Sequence, residues 1–251
     1  MLKFGLKIWS TSSKAIFEET VDLVKIKKVD FVEIYIVPGA DLRTLEILRK
    51  VPATIHCPHS SHGFDVFKFD DKIVKMFKKE VVKAADFFGS EFIVVHPGFG
   101  ADCNIFEKNI AKIYDKRIII ENLPKFTGKF ESFGHSLEQL KFIKGLGFDI
   151  CFDFIHAVKS AISQKIDYKK FINEVISELN PFYFHLTSAN LETEQDEHLD
   201  LFSGEFDIRW AKEKLFSLAE KKNIFLVFEA PKIGDNLEND IKNINYFREL
   251  G

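Results

Sequence analysis

The 251-residue chain has few cysteines: Cys57, Cys103 and Cys151 stand far apart, and no two form a C-x-x-C pair. That excludes a disulfide framework and a paired-thiol motif, and it suits a reducing compartment. No stretch reaches the roughly 18 consecutive apolar residues that a membrane span needs. The opening MLKFGLKIWSTSSK also lacks the apolar heart of a signal peptide. A soluble, cytoplasmic protein is therefore expected. Neither sign of charge is in large excess: a net −3 and a pI near 6.3 leave no global basic footprint for nucleic acid, although a local basic groove is compatible with both. No Gly/Ser/Pro-rich linker divides the chain, so one domain over residues 1–251 is expected. No Gly-x-Gly-x-x-Gly turn follows the first apolar run, which removes the main support for a doubly wound, dinucleotide-binding sheet.

What the chain does have is material for a core, with 46% hydrophobic residues and 28 Phe. Short β-rich runs alternate with helical patterns throughout. Strands are expected over Lys3–Trp9, Phe31–Val37, Ala53–Cys57, Glu91–His96, Arg117–Glu121, Asp149–Phe154, Phe182–Leu186 and Asn223–Glu229. Several are almost wholly apolar (FIVV, RIII, IFLVF), as strands covered on both faces are. Between them the apolar residues fall at three- and four-residue spacing. Over Asp71–Phe88 the set Ile73, Val74, Phe77, Val81, Val82, Ala85 and Phe88 makes one helical stripe. Eight strands, each followed by a helix, predict an α/β fold of the (β/α)₈ barrel type, with the open doubly wound sheet as its competitor.

The last residues of these strands carry the chemistry. The third strand ends at His56 (TIHCPH), the fourth at His96 (IVVHPG) and the fifth at Glu121 (IIIENLP). The sixth ends at Asp153 with His156 just beyond (CFDFIHA), the seventh at His185 (FYFHL) and the eighth at Glu229 (FLVFEAP). In a parallel barrel these ends converge on one mouth, where such folds keep their active sites. Taken singly, each has an ordinary role. A histidine can be a hydrogen-bonded core residue, a glutamate can pair with a lysine, and Asp153 can cap the next helix. Taken together they cannot be ordinary, because ionisable groups crowded into one cavity are costly unless something compensates them. A metal centre is the natural compensator for carboxylates and imidazoles, with the nitrogen ligands favouring zinc. The loop after the seventh strand adds Asp196 and His198 in a D-x-H pattern. Leu186–Asp207 holds seven acids and no Lys or Arg, so cation binding would relieve its repulsion.

The pieces IHCPH, VVHPG, IIIENLP, FDFIHA, FHL, DEH and FEAP, in this order, resemble endonuclease IV within the xylose isomerase-like barrels. The resemblance runs from about the second strand to the end of the chain. It implies up to three Zn²⁺ ions. His56 and His96 would hold the first, with Glu121 bridging it to the second. Asp153, His185 and Glu229 would complete the second, and His156, Asp196 and His198 would hold the third, more accessible ion. The activity it implies is hydrolysis of a phosphodiester 5′ to an abasic site in DNA, a repair reaction in which Glu121 or Glu229 orients the attacking water. The chain departs from this pattern at the rim. Family members that cut DNA carry Arg and Tyr on rim loops, whereas VPGADLR has only Arg43. His59 stands where a Tyr is expected, and TSANLETEQDEHLD replaces a polar, basic segment.

Two enzymatic readings stay open on these residues. One is a zinc-dependent phosphoesterase acting on abasic DNA or on a smaller phosphoester. The other is a sugar or sugar-phosphate isomerase or epimerase. It would need a single divalent ion, Mn²⁺ or another, on Glu121, Asp153, His185 and Glu229, with Glu121 and Glu229 moving protons beside a carbonyl. A barrel that keeps these ligands and only binds is a third reading. His59, Lys125 and Lys232 are candidate substrate contacts, and Arg209 is a further candidate anion holder.

Overall fold

A computed structural model describes residues 1–250. In chain order the strands are β1 (Leu2–Trp9), β2 (Phe31–Tyr35), β3 (Ala53–His56), β4 (Ile93–Val95) and β5 (Ile118–Glu121). A short antiparallel hairpin, β6 (Phe126–Thr127) and β7 (Phe130–Glu131), comes next. The series ends with β8 (Asp149–Asp153), β9 (Tyr183–Leu186) and β10 (Ile224–Phe228). Strands β1 to β5 and β8 to β10 are parallel and close into an eight-stranded barrel, sealed where Gly5 of β1 pairs with Val227 of β10. The eight expected strands are all present, with some ends one or two residues shorter. The hairpin after β5 was not anticipated, since its two-residue strands are too short to leave a periodic signal.

The surrounding helices are α1 (Lys14–Lys25), α2 (Asp71–Met76), α3 (Lys83–Phe88), α4 (Cys103–Ile110), α5 (Leu137–Gly145), α6 (Phe154–Gln164), α7 (Tyr168–Leu179), α8 (Ile208–Ala219) and α9 (Glu238–Glu249). Between β2 and β3 the chain takes a 3₁₀ helix, Leu42–Lys50. The expected stripe over 71–88 is interrupted by a π turn, Phe77–Val82, joining α2 to α3. The wider turn rotates the following face, so that Ala84 is buried beside Ala85 while Val82 is only partly covered. Aspartates and serines open many of these helices. Ser13, Asp70, Asp102, Ser136, Asp153, Asp167 and Asp207 each accept a backbone N–H of the first turn through the side chain.

Alternation along the strands builds the barrel interior in layers. Phe31, Val94, Ile119, Cys151, Tyr183 and Val227 pack together as one core cluster inside the barrel, over Phe92, Phe182 and Phe225. Gly5 leaves the room this layer needs, because a Cβ there would lie 2.5 Å from the Phe31 ring. Side chains two residues apart share a face. The residues two positions after these six are Glu33, His96, Glu121, Asp153, His185 and Glu229. A polar layer therefore sits directly above the apolar one, at the C-terminal ends of the strands.

Candidate metal centre

Glu121 is the hub of that polar layer. Its Oε2 lies 3.1 Å from His56 Nε2 and 2.9 Å from His96 Nε2, while its Oε1 lies 2.9 Å from His185 Nδ1. Glu229 reaches the same His185 Nδ1 at 3.0 Å, and its other oxygen lies 3.4 Å from His198 Nδ1. A second focus forms at the mouth, where Asp196 Oδ2 stands 3.3 Å from His156 Nε2 and 3.7 Å from His198 Nε2. All nine residues expected from the sequence thus converge on one end of the barrel. His56, His96 and Glu121 bring their ligand atoms within 4.8 Å of one another, and so do His156, Asp196 and His198.

The remaining set divides differently from the expectation. Asp153 converges with Glu121 and His156, whereas His185 and Glu229 converge with Glu33 and His56. The physical reason lies in two residues the sequence reading missed. Lys7 on β1 donates to Glu229 Oε1 at 2.6 Å and lies 3.5 Å from Glu33 Oε1, holding both carboxylates on the β1–β2 side. Glu33 Oε2 accepts from His185 Nε2 at 3.0 Å and from the Tyr183 hydroxyl at 2.8 Å, and that hydroxyl also meets Thr54 Oγ1 at 2.7 Å. A signal for Glu33 was available: it is a charged residue in the middle of the apolar run FVEIYIV.

The tautomers fit a cation. His56 Nδ1–H donates to the Cys57 carbonyl at 2.7 Å, and His156 Nδ1–H donates to the Asn122 carbonyl at 2.8 Å. In the neutral rings the lone pair of Nε2 then faces a carboxylate, Glu121 or Asp196, which is repulsive unless a proton or a metal ion lies between. Asp153 makes the same point. Its Oδ1 caps α6 by accepting His156 N at 2.7 Å, as the ordinary reading required, but its buried Oδ2 has no partner. Asp196 Oδ1 and Glu33 Oε1 are likewise buried without a hydrogen bond. Imidazole nitrogens, carboxylates and orphaned oxygens around one focus are a donor set suited to zinc or a similar divalent ion.

Electrostatics follow from the crowding. Burial opposes charge on Glu121 and Glu229, but His185 and His96 outweigh it for the first, and Lys7 and His185 for the second. Both carboxyls fall well below the usual range. Glu33 is held down to about 2 against its burial by His185 and Lys7. Asp153 goes the other way, raised by burial and by the neighbouring Glu121 and Glu229. Burial disfavours the imidazolium of His198, yet Asp196 and Glu229 raise it to about 9. His59 is pushed down to about 2 by burial and by His96 and His56, so it stays neutral.

A cavity of about 380 Å³ opens above the cluster, lined by Lys7, Trp9, Tyr35, His59, Phe64 and Lys232 together with Glu121, His156, Asp196, His198 and Glu229. His59 stacks on His96 with ring centroids 5.5 Å apart. Lys232 faces the cavity near Trp9 but is paired with Asp240. Lys125 corrects the expectation: it lies over the Phe126 ring at the base of the hairpin and is not part of the cavity wall. Arg209 is also no part of it, being exposed on α8.

No protein-family profile matches the chain, and no curated protein sequence does either. Solved structures do. The chain is similar to endonuclease IV from Thermus thermophilus, at 19% identity and a TM-score of 0.69 over 98% of this chain and 97% of that one. It is similar to a 3-keto-D-glucoside 4-epimerase from E. coli, at 14% identity and a TM-score of 0.68 over 99% of each chain. It is also similar to an IolI protein solved with a zinc atom, at 14% identity and a TM-score of 0.65 over 98% of this chain and 96% of that one. At these identities the likeness is one of fold, a closed eight-stranded parallel barrel ringed by helices.

Proposed function

We propose that this barrel is a metal-dependent phosphoesterase with more than one ion at its mouth. The observation that carries the reading is the His156–Asp196–His198 cluster. An isomerase working with one ion on Glu121, Asp153, His185 and Glu229 has no use for it. Charge supports the same choice. Glu33, Glu121, Asp153, Asp196 and Glu229 face the ammonium of Lys7, while that of Lys232 is already paired with Asp240. A single divalent ion leaves that assembly negative and repellent to phosphate, whereas three leave it positive.

In this reading His56, His96 and Glu121 hold one ion. Glu121, His185 and Glu229 would hold a second, with Asp153 drawn to it from beside Glu121 and His156, and His156, Asp196 and His198 would hold a third, zinc being the ion the ligands favour. Bound ions of this kind lower the pKa of coordinated water and neutralise charge on the attacked phosphate. Glu121 spans two of the foci and keeps them in register, Glu229 orients the water, and His59 and Lys232 contact the substrate. The cavity has the size of a small-molecule site, within the ~300–1,000 Å³ usual for one. It suits a compact phosphoester or a single nucleotide turned out of its strand. The acidic segment around Asp196 opposes a long duplex until ions reverse its potential.

The isomerase or epimerase reading keeps Glu121 and Glu229 as a proton-transfer pair across the same cavity. One experiment separates the two: metal content, with turnover of abasic duplex, small phosphoesters and a panel of ketoses, in the wild type and in His198→Ala. The phosphoesterase reading expects one ion fewer and a loss of hydrolysis by about 10²–10³-fold. Unchanged metal content with ketose turnover would overturn it.

A further inference from the structure

Helix α6 is buried along its first eight residues, Phe154 to Ala161, and among them stands one lysine, the completely buried Lys159. A buried ammonium is strongly unfavourable unless its hydrogens are all met. Here they are: Nζ donates to the Asn190 carbonyl at 2.8 Å, the Thr193 carbonyl at 2.9 Å and Glu197 Oε2 at 3.2 Å. All three acceptors belong to the acidic segment between β9 and α8. Glu197 is fastened further by accepting the backbone and side-chain N–H groups of Asn190, each at 3.3 Å.

Glu197 is the middle residue of the D-x-H pattern. In non-helical, extended chain, neighbouring side chains point to opposite sides. Lys159 draws Glu197 to one side, while Asp196 and His198 line the cavity with His156. His156 and Lys159 are one turn apart on α6, so the helix that supplies one candidate ligand also supplies the clamp beside the other two. The far end of the segment has its own anchor, because Asp200 Oδ1 accepts from Asn239 Nδ2 at 2.7 Å and from Asn243 Nδ2 at 2.8 Å on α9. Releasing Lys159 would therefore free the 190–198 stretch and leave the segment attached.

We infer that Lys159 and Glu197 are positioning residues whose ion pair sets the register of Asp196–Glu197–His198, aiming the outer two side chains at the ion and holding the third away. The inference rests on reading His156, Asp196 and His198 as an ion site. Without the pin, Glu197 is a competing carboxylate one residue from Asp196, and a one-residue slip would turn both ligands outward.

The test is a Zn²⁺ titration of the full chain against a chromophoric chelator, with thermal unfolding of each variant alongside. Glu197→Gln removes the charge from the surface end of the pair without disturbing the core of α6, so it reports even if Lys159→Met fails to fold. Glu194→Gln, an exposed acid of the same segment, makes the same change in net charge and serves as control. The expected result is about 10- to 100-fold weaker binding of one ion in Lys159→Met and Glu197→Gln, the scale of lost outer-shell support, with the other ions held as before and Glu194→Gln like wild type. If Glu197→Gln binds every ion as tightly as Glu194→Gln, or loses only thermal stability, the inference is overturned. If the wild type and His198→Ala titrate identically, the ion-site reading beneath it fails instead.

Discussion

Glu33 and His185 meet at 3.0 Å, Oε2 to Nε2, with both side chains completely buried. The contact commits Nε2 of the imidazole to a carboxylate and leaves Nδ1 pointing between Glu121 and Glu229. A carboxylate behind a histidine fixes its tautomer and makes the free nitrogen a better ligand. Neither residue explains the arrangement alone, since Glu33 is itself held by Tyr183, and Tyr183 by Thr54.

Glu33→Gln keeps the shape and removes the charge. Divalent-ion affinity should fall by about 10-fold or more, while the ion at His156, Asp196 and His198 is held as before. Competition titration with a chelator reads both. An unchanged affinity would mean that Glu33 only fills the barrel.

Lys7→Met tests what balances the carboxylates. Removing one partner of a buried ion pair costs about 3–5 kcal/mol, because the remaining charges are left unpaired. The metal-free variant should therefore unfold at lower denaturant than the metal-free wild type. Adding Zn²⁺ should close much of the gap, since an ion replaces the lost positive charge. Equal unfolding midpoints without metal would remove Lys7 from the charge balance.

The mouth cluster should bind ions more tightly as the pH rises. His198 is raised to about 9 and His156 well above its ordinary value, so near neutral pH both carry protons that an ion must displace. The sign for folding is the reverse. A histidine whose folded pKa exceeds its unfolded value of about 6.5 stabilises the metal-free fold fully below that pH. That contribution is lost as the pH climbs toward 9. Calorimetric Zn²⁺ titrations at pH 6.5 and 8.5, in buffers of different ionisation heat, should show proton release that shrinks as affinity grows. Affinity that is flat with pH would contradict this electrostatic picture.

Much of the candidate centre is legible in the sequence. Strands buried on both faces appear as unbroken apolar runs, and a His, Asp or Glu closing such a run has little to do but face the mouth. That is why His56, His96, Glu121, Asp153, His185 and Glu229 could be named from their places at strand ends, while His156 follows the sixth strand and Asp196 and His198 stand out by their D-x-H spacing in an acidic loop. Lys7 and Glu33 were not, because a charge inside a strand is equally well explained by a solvent-facing side. Lys159 was overlooked for the same reason: one lysine on a helix normally lies in water.

The amino-acid sequence by itself determined the periodicities: which residues alternate along each strand, which helix faces are apolar, and which polar residues come two places after a barrel core residue. These are local properties, set by backbone geometry over a few residues. Only the tertiary structure decided the partners. Closing the barrel brought Lys7 of β1 against Glu229 after β10, 222 positions apart, and set Glu33 behind His185 across the interior. Docking the acidic segment on α6 decided that Glu197 meets Lys159 while Asp196 and His198 face the cavity. Such contacts depend on how distant elements pack, and strand periodicity carries no record of the distance between them.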